Sequence, residues 1–200
     1  MEESKIRLSF AELDLVQNAD IILTKNTIIK KAISLLEQVQ QAVTPMEENM
    51  KLPAVLTSNA PKISKGENYL GLPYVVLDYP RISHAENLCF IRTMFWWGHF
   101  FSSTLQVSGI YKQRYAVNIA ARFGSLSNSN YFIGVHTDPW QHHFEVDNYR
   151  KINSLSTQEL ADVIAAQSHI KIAAHWPLER WDEATTILYK SWKLLAELIT

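Results

Sequence analysis

The chain has 200 residues, of which 47% are hydrophobic and 20% charged, and its formal net charge is −1. This size and balance predict one domain, residues 1–200, with a substantial core, and they exclude an intrinsically disordered protein. Basic residues outnumber acidic ones only nine to six in residues 51–150, so nucleic acid is not an expected partner.

Three features that the sequence lacks indicate the cellular compartment of the protein. Cys89 is the only cysteine, so an internal disulfide is excluded. The first residues, MEESKIRLSF, are not basic and no apolar region follows them, so a secretory signal is not expected. No apolar run approaches the ~18 residues that cross a bilayer, so a membrane is not an expected partner either. We therefore expect a soluble protein of the reducing cytoplasm.

The N-terminal part of the chain is predicted to be helical. Ser9 and Glu12 have the spacing of a capping box, which starts a helix by satisfying its first backbone N–H groups. A stronger helix is predicted over residues 26–43, ending before Pro45. Its apolar positions alternate in steps of four and three and form one stripe: Ile28, Ala32, Leu35, Val39 and Ala42.

Residues 44–72 contain several prolines and glycines and show no clear periodicity. A connection of this length is uncommon inside a compact domain. The composition favours a long irregular arm that packs over a neighbouring surface and includes a short extended piece. A short strand in PAVLTS is the alternative.

The remaining elements alternate between strand and helix patterns. Residues 73–79, 89–97, 100–107 and 130–135 are rich in β-branched and aromatic residues, as strands are. Helices are predicted in GIYKQRYAVNIAARFG, from Ser156 to about Gln167, and over residues 179–198, and HIKIAA favours a strand. Helices that enclose consecutive strands predict an α+β fold, in which N- and C-terminal helices cover an antiparallel sheet.

The stretch FWWGHFF, residues 95–101, lies between two predicted strands. Glycine at the first central position suits a two-residue type II′ turn, so Gly98-His99 predicts a hairpin in which Trp97 pairs with Phe100. Side chains alternate between the faces of a sheet, so this register assigns each residue to a face. One face, predicted to lie under helices, carries Phe90, Met94, Trp96, Phe101, Leu105 and Val107.

The opposite face of this hairpin is apolar at its tip and polar toward its base. Helices covering this face as well is one interpretation. The other is a surface for a partner or ligand, because contiguous exposed apolar surface usually marks an interaction site. The residues of this predicted aromatic patch are Thr93, Phe95, Trp97, Phe100, Ser102, Thr104 and Gln106.

A histidine-rich segment, VHTDPWQHHFE, follows the predicted strand 130–135. Imidazole and carboxylate groups suit zinc, iron or manganese, so His136, Asp138 and His142 or His143 are candidate ligands of a divalent metal. Adjacent histidines point to opposite sides of a strand, and the spacing matches no established metal motif. A polar loop with solvated histidines is the alternative.

Two charged residues interrupt apolar strands, Asp78 in VVLDYPR and Arg92 in FIRTM. If they meet, they form a buried pair that needs complete hydrogen bonding. No Walker loop, G-x-G-x-x-G or G-x-S-x-G motif occurs in the chain.

The sequence therefore favours a binding or assembly module. Its aromatic patch would serve as a homodimer interface or as a pocket for a small apolar or aromatic ligand. The alternative is a metal- or histidine-dependent hydrolase that uses the His136–Glu145 cluster.

Overall fold

The computed structural model describes residues 6–200, apart from the side chains of residues 47 and 48. The first half of the stretch MEESKIRLSF lies outside the described residues. Within them, seven strands form one antiparallel sheet in the order β1-β2-β3-β4-β7-β5-β6. The strands are β1 (Lys62–Tyr69), β2 (Leu72–His84), β3 (Asn87–Trp96), β4 (Phe100–Ser108), β5 (Phe132–Gly134), β6 (Tyr149–Lys151) and β7 (His169–Pro177).

Besides two short 3-10 helices, Ile152–Ser154 and Leu178–Glu183, eight α-helices accompany the sheet in the described part of the chain. They are α1 (Phe10–Gln17), α2 (Ala19–Val43), α3 (Met46–Asn49), α4 (Ala54–Thr57), α5 (Gly109–Ala121), α6 (Phe123–Asn128), α7 (Thr157–Ala166) and α8 (Ala184–Ala196). Helices α2 and α8 pack against each other, and α2, α5 and α8 pack on the central strands. None of the helices in residues 6–200 is long and apolar enough to cross a bilayer.

The predicted α+β fold with helices at both ends is confirmed. The capping box of Ser9 with Glu12 is present, and so is the second box of Ser156 with Glu159. Helix α2 begins at Ala19, earlier than predicted, because Asn18 caps it by accepting a hydrogen bond from the backbone of Asp20. The C-terminal helix is anchored to the sheet by Trp192, whose ring N–H donates to the carbonyl of Tyr79 at 2.6 Å.

The prediction of a long irregular arm over residues 44–72 is wrong. This segment contains the short helices α3 and α4 and the edge strand β1, which pairs with β2. The alternative of a strand in PAVLTS is also wrong, because α4 occupies it. Strand β1 reads KISKGENY and lies at the edge of the sheet, where its side chains are mostly polar and partly exposed. It therefore lacks the apolar alternation by which strands are recognised.

The predicted register of the FWWGHFF hairpin is wrong by one residue. Trp96, not Trp97, pairs with Phe100, so three residues rather than two form the connection. Gly98 lies in the left-handed region, with φ of 74°. A shift of one residue moves every side chain of one strand to the other face. The residues of β3 that were predicted to lie on the same face of the sheet as Phe100 therefore lie on the other face.

The two faces of the sheet are covered differently. The helix face carries an apolar core formed by residues of all the long helices and strands, such as Leu36, Leu77, Ile91, Phe95 and Leu105. The opposite face is covered by residues 135–148, which we call the covering loop. The side chains beneath this loop define the loop-covered face: Val76, Asp78, Phe90, Arg92, Met94, Trp96, Phe100, Ser102, Thr104, Gln106 and Lys171.

The hairpin connection allows a direct test of the backbone conformation at Gly98. Replacing Gly98 with Ala should lower the free energy of unfolding by about 1 kcal/mol, because its positive φ is costly for a residue with a Cβ atom. Gly124 is the matched control, since a Cβ there meets open space in helix α6 and Ala favours helix. Urea denaturation of both variants measures the difference, and equal stabilities would contradict the strained connection.

Candidate functional site

The covering loop is fastened to the sheet by polar contacts. The phenol oxygen of Tyr69 accepts hydrogen bonds from the backbone N–H groups of His142 and His143, the latter at 3.1 Å. The ammonium group of Lys171 donates to the carbonyl of Gln141. Within the loop, both carboxylate oxygens of Asp138 accept hydrogen bonds, from the backbone of Trp140 and the side chain of Gln141. These bonds keep the pKa of Asp138 below its usual value.

A charged pair occupies the centre of the loop-covered face. Asp78 and Arg92 lie opposite each other on β2 and β3, and two hydrogen bonds of 2.8 Å join the guanidinium to the carboxylate. Arg92 also donates to Nε2 of His142 at 3.1 Å. Burial and the neighbouring guanidinium hold the pKa of His142 well below its ordinary value, so its ring is neutral. The sequence left open whether Asp78 and Arg92 meet, and the structure pairs them with the hydrogen bonding that such a pair needs.

An irregularity in β2 brings a second arginine to the same face. The pairing of β2 with β3 shifts between Asp78 and Arg81, where two residues of β2 have no partner. Because of this bulge, Arg81 pairs with Phe90 and its side chain lies on the same side of the sheet as Asp78. Residues three apart in a regular strand would point to opposite faces.

These residues line a depression that we call the basic groove. Strands β1, β2 and β3 form its floor, Trp140 of the covering loop forms one wall, and its volume is about 260 Å³. A second depression of about 200 Å³ continues it toward His142 and Tyr69 and shares four lining residues with it. The charged groups around the groove are three cations and one anion: Lys62, Arg81, Arg92 and Asp78.

The wall of the basic groove is aromatic. Trp140 stacks on Phe90 with ring centroids 5.9 Å apart, and 46% of Trp140 remains exposed. The guanidinium carbon of Arg92 lies 5.3 Å from the Phe90 centroid and 5.9 Å from that of Trp140. On the floor of the groove, the ring of Tyr74 packs directly on Gly66. A Cβ atom at position 66 would come within 2.4 Å of that ring. The groove therefore combines cations with flat apolar surfaces.

Polar side chains are also enclosed deeper under the covering loop. Lys171 is 1% exposed, and its ammonium group lies 4.9 Å from the Tyr149 ring centroid. Burial lowers the pKa of Lys171 to about 7. Its cross-strand neighbour Gln106 is fully buried, and neither amide atom finds a hydrogen-bond partner within residues 6–200.

The residues of the predicted aromatic patch do not lie on one surface. Thr93, Phe95 and Trp97 lie on the helix face, where Phe95 contacts Trp181 edge to face at 5.6 Å. The other four, Phe100, Ser102, Thr104 and Gln106, lie on the loop-covered face. All seven except Trp97 are buried. The register shift at the hairpin is the physical reason for this separation.

The histidine-rich segment forms most of the covering loop. Nδ1 of His136 accepts the backbone N–H of Asp138 at 2.9 Å, and Nε2 of His142 accepts from Arg92. Each histidine thus already uses one ring nitrogen. Among residues 6–200, no three His, Cys, Asp or Glu side chains are arranged to hold a metal ion. The geometry gives no support to the predicted site of His136, Asp138 and His142.

Sequence reasoning missed several residues of this region. Lys62 and Tyr69 belong to the unrecognised strand β1, and Arg81 reaches the groove only through the bulge. Lys171 was visible as a lone cation in the apolar stretch HIKIAA.

Comparison of the chain with protein-family models, curated proteins and solved structures finds no match. The function is therefore argued from the site itself.

The buried ammonium group of Lys171 predicts a pH dependence of stability. Its pKa is about 7 in the folded protein and near 10.5 in an exposed lysine, so the unfolded chain binds more protons between these values. The free energy of unfolding of the wild type should then rise with pH from 7 to 10 relative to Lys171→Met, by at most about 1.4 kcal/mol per pH unit.

Urea denaturation at pH 7, 8, 9 and 10 measures this difference, and groups common to both proteins cancel in it. Lys193→Met, at an exposed lysine of α8, is the control. Parallel profiles for the wild type and Lys171→Met would show that Lys171 is not desolvated.

Proposed function

We propose that this protein is a binding module whose basic groove takes a small anionic molecule with a flat apolar body. The observation that carries the proposal is the convergence of three cations and an exposed tryptophan on one depression formed by β1, β2, β3 and the covering loop. Small-molecule sites combine apolar surface with a few placed polar groups, and here the apolar surface comes from Tyr74, Val76, Phe90 and Trp140 within a largely polar lining.

The charge of the groove favours an anion. Asp78 offsets only one of the three cations, so positive charge remains at Lys62 and Arg81. A guanidinium group has five N–H donors, and Arg92 uses three of them on Asp78 and His142. Two donors are left for a ligand. A carboxylate or phosphate is the group that suits such donors, because their hydrogen bonds are charge-assisted.

The aromatic wall favours a flat apolar body next to the anionic group. Trp140 is supported from behind by Phe90 and by the guanidinium of Arg92, so its ring is held in place. Its exposed part offers a surface on which a ring can stack. Tyr74 and Val76 supply further apolar contact on the floor.

Binding is favoured over catalysis because the groove lacks a complete set of reacting groups. A catalytic site needs a nucleophile or base in hydrogen-bond reach of an orienting group and of a substrate. The histidine nearest the groove, His142, is neutral and its Nε2 already accepts from Arg92. Asp78 is likewise engaged by Arg92 through both oxygens. These groups support the shape and charge of the groove.

A homodimer through the predicted aromatic patch has less support. Its residues are divided between two faces of the sheet, and six of the seven are buried within the chain.

We also propose a cytoplasmic location, for which the support is the single buried cysteine. Burial raises the pKa of Cys89 to about 12, so it is not a reactive thiol. Subcellular fractionation tests the location, and recovery outside the cytoplasm would contradict it.

The anion requirement is tested with 2-naphthoate and its uncharged amide, 2-naphthamide, as probes. We expect naphthoate to bind and the amide to bind at least tenfold more weakly, measured by isothermal titration calorimetry. Lys62→Gln should weaken naphthoate binding about threefold, since an exposed charge contributes modestly. Lys65→Gln is the matched control, because Lys65 lies on the same strand but on the opposite face. Equal binding of both probes would contradict an anion site.

The stacking wall is tested with Trp140→Ala. We expect naphthoate affinity to fall about fivefold, because loss of a stacked aromatic contact removes roughly 1 kcal/mol. Val146→Ala, in the same loop but 89% exposed and outside the groove, is the control. No effect of Trp140→Ala, or no binding of either probe at about 1 mM, would contradict the proposed groove.

A further inference from the structure

The N-terminal end of the chain carries apolar residues that contact little of the fold. Residues 6–24, which we call the N-terminal arm, comprise α1 and the start of α2, and every one of them is exposed. Helix α1 has no buried residue, and the first buried residue of α2 is Ile29. The arm nevertheless contains nine exposed large hydrophobic residues: Ile6, Leu8, Phe10, Leu13, Leu15, Val16, Ile21, Ile22 and Leu23.

The apolar stripe of α2 continues into the arm. Ile29, Leu36 and Val43 recur every seven residues and are buried against the sheet and α8. Ile22 is the next position of this series toward the N-terminus, and it is 56% exposed. In a globular protein, an apolar stripe of this period typically faces the core or a neighbouring element. Residues 19–24 of α2, by contrast, are all exposed in the described part of the chain.

The exposed area is large enough to form a stable interface. Nine side chains of this kind present on the order of 900 Å² of apolar surface, at roughly 100 Å² each. A protein contributes about 800 Å² to an interface of standard size. Two such arms, exchanged between two copies of the chain, would exceed that requirement.

A cleft between α2 and the start of α8, bounded also by the 3-10 helix Leu178–Glu183, offers a complementary surface. Its volume is about 490 Å³, and its floor includes the buried Leu35 and the ring of Trp181. Lys30 and Lys31 line it, with Asp182 as the only acid among its lining residues. The arm carries three acids, Glu12, Asp14 and Asp20, and one base. The cleft and the arm are thus both partly apolar and opposite in net charge.

The arm does not reach the cleft of its own chain. Thr27, at the near end of the cleft, belongs to the same helix as Ala19. The helical rise of ~1.5 Å per residue puts Ala19 roughly 12 Å from Thr27 along the axis. Helix α1 ends at Gln17, Asn18 separates it from α2, and none of the residues of α1 is buried. An occupant of the cleft with the chemistry of the arm therefore comes from another molecule.

We propose that two copies of this chain form a symmetric dimer in which the arm of each copy docks in the α2–α8 cleft of the other. Reciprocal docking is self-complementary, as a two-fold interface requires. This surface lies on the helix side of the molecule, so the dimer is independent of ligand binding in the basic groove.

The first test measures mass by sedimentation equilibrium of the full chain without ligand. We expect a dimer for the wild type at micromolar concentration and a monomer for Phe10→Ser/Leu13→Ser/Val16→Ser, with at least a tenfold weaker association. The folding of this variant should be unchanged, because the three side chains are exposed within the protomer. Ile110→Ser/Val117→Ser/Val146→Ser removes three other exposed apolar side chains and should remain dimeric.

The second test exchanges charges between arm and cleft. Lys30→Glu/Lys31→Glu alone, and Asp14→Lys alone, should each weaken the dimer. Asp14→Lys brings the arm to a net charge of zero, so combining all three substitutions in one chain removes its repulsion from the acidic cleft. The combined variant should therefore associate more tightly than Lys30→Glu/Lys31→Glu. Failure of the combined variant to associate more tightly than Lys30→Glu/Lys31→Glu would overturn docking in the cleft.

Two other results would also overturn the proposal. One is a wild type that remains monomeric at about 100 μM, a concentration at which a standard interface is occupied. The other is a monomeric wild type whose arm instead binds phosphatidylcholine vesicles, with the Phe10→Ser/Leu13→Ser/Val16→Ser variant losing vesicle binding in a flotation assay. That result would assign the arm to a lipid surface.

Discussion

The pairing of Trp96 with Phe100 determines which side of the sheet each residue of β3 and β4 occupies. Because side chains alternate along a strand, this one contact sends Ile91 and Phe95 to the helix face and Arg92 and Met94 to the opposite face. A connection with one residue fewer would place Arg92 under the helices, away from the covering loop. Both the apolar core and the basic groove therefore depend on the three-residue connection and on the positive φ of Gly98.

The two faces of the sheet are stabilised by different kinds of interaction. The helix face excludes water with apolar side chains from α2, α5 and α8, which is the ordinary source of stability. The loop-covered face encloses charged and polar groups, and these need partners because burying a charge is costly. The covering loop supplies many of them, through the ring of His142 for Arg92 and the carbonyl of Gln141 for Lys171. The same loop contributes Trp140 to the groove, so the fastening of the loop and the shape of the groove are linked.

The proposed ligand site and the proposed dimer surface use opposite sides of the molecule. The groove is bounded by an edge strand, a bulge and a loop, on the side of the sheet opposite the helices. The arm extends the most regular element, α2, whose buried stripe gives it a rigid base. In these proposals, one chain combines a small pocket on the loop side with an apolar docking helix on the helix side.

The sequence by itself determined the α+β class, the long helices and most strands, because apolar periodicity and capping residues act locally. It marked Asp78 and Arg92 as lone charges in apolar strands, but their meeting depends on the register between β2 and β3. The tertiary structure alone decided the register of the hairpin, the presence of β1 and the arrival of Arg81 at the groove. A turn of two or three residues differs little in local energy, and KISKGENY becomes a strand only because β2 offers it hydrogen bonds. The groove depends on all three, so its residues emerge only when separate segments are brought together across the sheet.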